Sequence, residues 1–228
     1  MITRKDLMQC DLCPMETTSM PRIGDKAPDF EANTTHGPLK FSEFAKDHWV
    51  ILFSHPADFT PVCTTELSEF ARNADWFTQR NTKLMGESID SIHSHVAWVQ
   101  NVREKTGVYM DFPIIADIDM KVAKLYGMLH ESTSATASVR AVFFIDPKGI
   151  IRLIMYYPLN VGRNMDEIKR VLEALQTVDS HSCALPVNWK KGDKVIVPPP
   201  KTLKELDARL ADASVEMVDF YLAKKELA

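Results

Sequence analysis

The sequence predicts an α/β fold with a mixed central sheet and flanking helices, plus a small C-terminal extension. Three observations carry this. Short apolar runs alternate with segments whose apolar residues recur at helical spacing, the pattern of a layered α/β domain. Two strand-like runs meet late in the chain around one turn signal, which makes the sheet mixed. After Cys183 the composition changes, and Pro186, Gly192 and Pro198-Pro199-Pro200 break any long element.

Residues 1–19 show little apolar periodicity and read as a leader. Met20 to Phe30 opens the folded part, a domain over 20–187, and 188–228 follow as a small C-terminal domain or dimerisation arm. Val50-Ile51-Leu52-Phe53 suits a strand buried on both faces, stopped at Ser54-His55-Pro56 because proline lacks the N–H a ladder needs. Leu67, Phe70, Ala71, Ala74 and Phe77 then predict a helix from about Pro61 to Gln79. Leu84 to Ile89 reads as a strand, and Val96, Val99 and Val102 as one face of a helix ending near Gly107. Pro113 to Ala116 is a short strand and Met120 to Tyr126 a short helix closed by Gly127. Val139 to Ile145 and Ile150 to Tyr156 form a hairpin around Asp146-Pro147-Lys148-Gly149. Met165, Ile168, Val171, Leu172 and Leu175 stripe the next helix, and Leu203 to Ala211 is the last.

Composition narrows the function. At 228 residues, 45% hydrophobic and 25% charged, the chain can bury one substantial core. Its net charge of -4 arises from 27 basic and 31 acidic residues with no basic run, which argues against a nucleic-acid partner. No stretch approaches the roughly 20 apolar residues of a membrane span. Arg4, Lys5, Asp6, Asp11 and Glu16 interrupt the start, so a signal peptide is not expected and the cytoplasm is the default compartment. Four cysteines, at 10, 13, 63 and 183, are too few and too unevenly spaced for a disulfide scaffold.

The informative segment is His55-Pro56-Ala57-Asp58-Phe59-Thr60-Pro61-Val62-Cys63-Thr64-Thr65-Glu66-Leu67, between a buried strand and an amphipathic helix. Sites in α/β sheets sit at such junctions. Thr60 suits the N-cap and Pro61 the first helical position, so Cys63 falls in the first turn among amides with no intrahelical partner. Those amides favour a thiolate. The bland alternative, a buried inert cysteine, fits this turn poorly.

The segment resembles the signature of the peroxiredoxins, in particular their one-cysteine subfamily, over about Met20 to Pro200. Matching stretches are Ser88-Ile89-Asp90-Ser91, His95-Val96-Ala97-Trp98, Ser138-Val139-Arg140-Ala141-Val142-Phe143, Gly162-Arg163-Asn164-Met165-Asp166-Glu167 and Pro186-Val187-Asn188-Trp189. The resemblance implies a thioredoxin-like fold and a thiol-dependent peroxidase that reduces hydrogen peroxide and organic hydroperoxides through a sulfenic acid on Cys63. It implies that Pro56, Thr60, Cys63 and Arg140 form the catalytic set, with Glu66 and Arg163 as a supporting ion pair and His55 near the thiol. It also implies an external thiol reductant, no cofactor or metal, and a homodimer or ring of dimers.

The chain departs from relatives in two places. The phospholipase element of some relatives, Gly-Asp-Ser-Trp-Gly, is here Lys46-Asp47-His48-Trp49-Val50, with Ser42 and Lys148 at the other triad positions, so ester hydrolysis by that route is not expected. The C-terminal cysteine pair of archaeal relatives is replaced by Met217-Val218-Asp219-Phe220-Tyr221-Leu222-Ala223. Three other readings compete. Cys10 and Cys13 can be a redox pair, although such a pair belongs at a strand-to-helix turn, or can resolve an oxidised Cys63. Cys10, Cys13, His181 and Cys183 can be zinc ligands. A chaperone is a third class. Cys183 is expected to be packed and inert.

Overall fold

A computed structural model describes residues 20–227. The chain opens with a hairpin, β1 (Glu31–Thr34) and β2 (Gly37–Lys40), and one helical turn, α1 (Phe41–Phe44). Then come β3 (Trp49–Ser54), α2 (Pro61–Arg72), α3 (Ala74–Thr78), β4 (Thr82–Ser88), α4 (Ile92–Thr106), β5 (Ile114–Ala116) and α5 (Lys121–Leu125). The hairpin β6 (Arg140–Ile145) and β7 (Ile151–Tyr157) leads into α6 (Met165–His181), followed by β8 (Val195–Val197), α7 (Leu203–Ala211), β9 (Glu216–Asp219) and β10 (Leu222–Lys225).

The main sheet has the order β2-β1-β5-β4-β3-β6-β7. Strands β3, β4 and β5 run parallel, while β6 lies antiparallel to β3, so the sheet is mixed as the late hairpin requires. All six residues of β3 are buried because both faces are covered. Trp49, Ile51 and Phe53 enter one core with Leu67, Phe70, Trp98, Val102, Ile168 and Leu172 from α2, α4 and α6. Val50 and Leu52 enter the other, with Phe41, Val122, Ala123 and Tyr126. Phe53 stacks on Phe70 with ring centroids 3.9 Å apart, fixing α2 against the strand that precedes it.

Three expectations need correction. The helix expected from Pro61 to Gln79 is two helices, because Asn73 leaves helical geometry (φ -100°, ψ 5°) and its side-chain amide donates to the Glu69 carbonyl at 2.8 Å and Glu69 Oε1 at 2.9 Å. The buried face of α4 is His95, Trp98 and Val102, whereas Val96 is exposed; a valine stripe has the wrong phase for a helix that buries a histidine. The β1–β2 hairpin carries no apolar run and was not expected. It forms around Gly37 at φ 97°, with the Thr34 hydroxyl donating to the Gly37 carbonyl.

The C-terminal segment forms its own three-stranded sheet, β8-β10-β9, with α7 at the expected position. Trp189 and Val195 are buried, yet α7 buries no residue and β9 is exposed throughout.

Candidate active site

Strand β3 ends at Ser54, and the loop of residues 55–60 carries the chain to α2. Thr60 holds the N-cap position with extended backbone and Pro61 opens the helix. The Thr60 hydroxyl does not cap; it donates to the Ala57 carbonyl at 2.9 Å and tightens the loop. Pro56 is partly buried in that loop. The first intrahelical bond runs from the Thr64 amide to the Thr60 carbonyl, so the amides of Val62 and Cys63 lie ahead of the ladder. Cys63 is fully buried, with a free thiol.

Arg140, the first residue of β6, reaches this turn from across the sheet. Its Nη1 donates to Cys63 Sγ at 3.3 Å and to Glu66 Oε2 at 2.6 Å. Its Nε and Nη2 both donate to the Leu159 carbonyl, at 3.0 and 2.7 Å, which fixes the guanidinium plane. Arg163 takes the other side of Glu66: its Nε and backbone amide donate to Oε1 at 2.8 and 2.7 Å, and its Nη2 to Oε2 at 2.8 Å. Its Nη1 donates to the Ser54 and Ala141 carbonyls, and its guanidinium lies over Phe53 and Phe70.

The charge count is informative. Two buried guanidiniums face one carboxylate, leaving a net positive charge beside the Cys63 sulfur. Burial alone would push the Glu66 carboxyl up, but the Arg163 guanidinium, aided by Arg140, holds it below its ordinary value.

The structure thus brings together Cys63, Arg140, Glu66 and Arg163. The hydrogen bond of His55 goes elsewhere. Its Nε2 lies 3.0 Å from Asp58 Oδ1, and Asp58 also meets His95 Nδ1, at 3.0 Å from Oδ1 and 2.8 Å from Oδ2. The three side chains are buried, and His55 Nδ1 has no partner among the described residues. Asp90 Oδ2 accepts from the Asp58 amide at 2.9 Å. Burial pushes the His55 imidazole below its ordinary value despite the Asp58 contact, while the two histidines hold the Asp58 carboxyl well below the usual carboxylate range against the opposing effect of burial. Sequence reasoning did not single out Asp58 or His95 as site residues. The pairing of a His-x-x-Asp with a histidine 37 residues onward is the signal that existed.

Cys183 follows the C-cap of α6 and is partly exposed, and it is unpaired among the described residues. The redox and zinc readings that use Cys10 and Cys13 fall outside the described residues.

A fold and site of this kind can be compared with known proteins. Residues 23–154 match the model of the AhpC/TSA family, and residues 174–212 match the C-terminal domain of 1-Cys peroxiredoxin. A peroxiredoxin of Aquifex aeolicus (strain VF5) is 51% identical over 223 residues, covering 93% of this chain and all of that relative. Peroxiredoxin 2 of Caldanaerobacter subterraneus subsp. tengcongensis is 53% identical over 209 residues, covering 91% of this chain and 94% of the relative. Among solved structures, a yeast mitochondrial 1-Cys peroxiredoxin superposes with a TM-score of 0.81 at 41% identity, over 91% of this chain and all of the other. A cysteine-to-serine mutant of peroxiredoxin 6 from Arenicola marina gives 0.81 at 34% identity, over 90% of this chain and 98% of the other. With the expected thioredoxin-like architecture in place, the chain belongs to the peroxiredoxins and is a thiol-dependent peroxidase.

Proposed function

We propose that Cys63 is the reacting thiol and that it reduces hydrogen peroxide and organic hydroperoxides in a one-cysteine cycle completed by an external thiol. One observation carries this reading: a fully buried sulfur in the first turn of α2, 3.3 Å from a guanidinium in a group that is one negative charge short. The thiolate attacks the terminal oxygen of the hydroperoxide. An S–O bond forms as the O–O bond breaks, sulfur loses two electrons, and the departing alkoxide takes a proton and leaves as an alcohol, or as water from hydrogen peroxide.

Arg140 stabilises the sulfur and the charge that moves to the departing oxygen, and Glu66 with Arg163 keeps it aimed. Thr60 shapes the loop and offers its oxygen at the mouth of the turn, and Pro56 shields the thiolate from water without a competing N–H. Metal or cofactor chemistry has no step in this cycle.

The position of Cys183 beyond the end of α6 supports an external reductant over this thiol as the resolving partner. The yeast mitochondrial relative is described as resolving its thiol via glutathione/thioredoxin systems, a precedent for such a reductant. A reducing compartment such as the cytoplasm suits this cycle. The domain limits 20–187 and 188–228 fit the separate second sheet, and the exposed apolar residues of the C-terminal unit suit a homodimer or ring of dimers. The test is intact-mass and peptide mapping after one equivalent of peroxide without reductant. An oxygen adduct on Cys63, and loss of peroxidase activity in Cys63→Ser, is the expected result; a stoichiometric disulfide from Cys63 to Cys10, Cys13 or Cys183 refutes the one-cysteine cycle.

A further inference from the structure

The geometry of His55, Asp58 and His95 fixes how many protons they hold. His95 has an acceptor at each nitrogen. Its Nε2 lies 3.1 Å from the Ile115 carbonyl oxygen, which can only accept, so this nitrogen carries a proton. Its Nδ1 lies 2.8 and 3.0 Å from the Asp58 oxygens, and a hydrogen bond there needs a second proton. The contact of His55 Nε2 with Asp58 Oδ1 at 3.0 Å needs a third. Turning either ring over would set carbon atoms against these oxygens and lose the bonds.

Three protons on one carboxylate and two imidazoles make a set with no net charge, as a buried site requires. With two protons, a pair of acceptors would face each other at hydrogen-bond distance. A fourth, on His55 Nδ1, would bury an N–H with no partner together with a net charge. The three ligand atoms also lie within 4.8 Å of one another, a grouping that a cation would accept, but the 2.8–3.1 Å contacts are those of ordinary hydrogen bonds.

We propose that Asp58 and His95 are positioning residues for His55, and that their shared protons hold it as the Nε2–H tautomer with a bare, buried Nδ1 lone pair beside the Cys63 turn. The proposal rests on Cys63 being the reacting thiol. Trp98 links the cluster to that turn: its ring packs 5.2 Å from His55, and its Nε1 donates to the hydroxyl of Thr64, the residue after Cys63. Arg163, bound to Glu66, holds the carbonyl of Ser54, the residue before His55. The guanidiniums of Arg140 and Arg163 and the first-turn amides are all donors. A hydroperoxide brings an O–H that none of them can accept; besides the Thr60 oxygen, His55 Nδ1 is an acceptor with no partner among the described residues. The other ionisable groups near the cluster are Arg163, Asp90, whose carboxylate takes the Asp58 amide, and Glu87, whose backbone carbonyl takes the His55 amide.

The test is nitrogen-15 NMR of the histidine rings in the reduced full-length protein at pH 7. The expected pattern has both His95 nitrogens protonated and His55 protonated only at Nε2. An unprotonated nitrogen on His95, or a proton on His55 Nδ1, overturns the proposal, as does one zinc ion per chain bound with loss of those ring protons. Asp58→Asn should mix the His55 tautomers and slow Cys63 oxidation by about ten- to a hundredfold, with the pH profile of that rate altered; mixed tautomers with an unchanged rate also overturn it. Should Asp58→Asn not fold, the wild-type rings decide. Cys63→Ser should keep the ring pattern, so a failure of the Cys63 reading and a failure of this one give different results.

Discussion

Glu66 has to satisfy two guanidiniums at once, and its substitution is correspondingly costly. Glu66→Gln leaves Arg140 and Arg163 buried without the carboxylate they share, so it should destabilise the fold by about 3–5 kcal/mol at pH 7. The sign of its pH dependence follows from its depressed folded value. The ionic contribution is fully present above the unfolded value of 4.5 and is lost as pH falls through the lower folded value. Denaturant melts should therefore show a gap between wild type and variant that is wide at pH 7 and narrows as pH falls below 4.5. Of the site residues, Cys63 was legible from local chemistry, because Thr-Pro-x-Cys at a strand end places a thiol among free amides. Arg140, Glu66 and Arg163 were legible only through resemblance, since their meeting depends on α2, β6 and the loop before α6 converging. Asp58 and His95 passed unnoticed for the same reason.

At the scale of elements, the buried strands were the clearest in the sequence, because β3 and β6 are apolar at every or nearly every position. The β1–β2 hairpin was not, being held by backbone pairing and a left-handed glycine that no apolar pattern announces. Strand β4 hides a different cost. Its penultimate residue is Glu87, whose carboxyl is fully buried with Oε2 unpartnered among the described residues and Oε1 at 3.3 Å from the Ser138 hydroxyl. Burial, aided by the charge of Asp117, pushes this carboxyl well above its ordinary value, so folding takes up a proton once the unfolded chain ionises. Stability is lost as pH rises above 4.5 toward the folded value. Glu87→Gln removes that cost while keeping an acceptor for Ser138, and should stabilise the protein by about 1–2 kcal/mol at pH 7. Thermal melts should show little gain at pH 4; an equal gain at both pH values would contradict the buried, protonated carboxyl.

For the whole molecule, the C-terminal unit carries the main unsolved packing. Leu203, Leu210, Val218, Phe220 and Tyr221 stand exposed on a unit whose helix buries nothing. Apolar surface of this kind is what a subunit contact covers. Light scattering at micromolar concentration should give at least a dimer for the full chain, and the double substitution Phe220→Ser with Tyr221→Ser should shift it toward monomer. A monomer for the unaltered chain would remove the role as a dimerisation arm. The sequence announced the extension through its prolines, but its second sheet rests on β9 and β10, four-residue strands of mixed polarity that carry no continuous apolar run.

The burial of Cys63 makes the site a sieve. In the proposed cycle a small hydroperoxide would reach the sulfur through side-chain motion, whereas a bulky thiol reductant would need the first turn of α2 to lift away from Arg140. On that cycle, size would divide the turnover in two, with the oxidising half set by chemistry and the reducing half by how often the turn opens. The chain contains its own reference, since Cys183 is partly exposed. Under native conditions a small alkylating agent should modify both Cys63 and Cys183, while a bulky maleimide should favour Cys183 over Cys63 by tenfold or more, on the order of 1.4 kcal/mol for lifting the turn, and lose that preference in denaturant. Equal labelling of Cys63 and Cys183 by the bulky reagent would show that the turn offers no barrier.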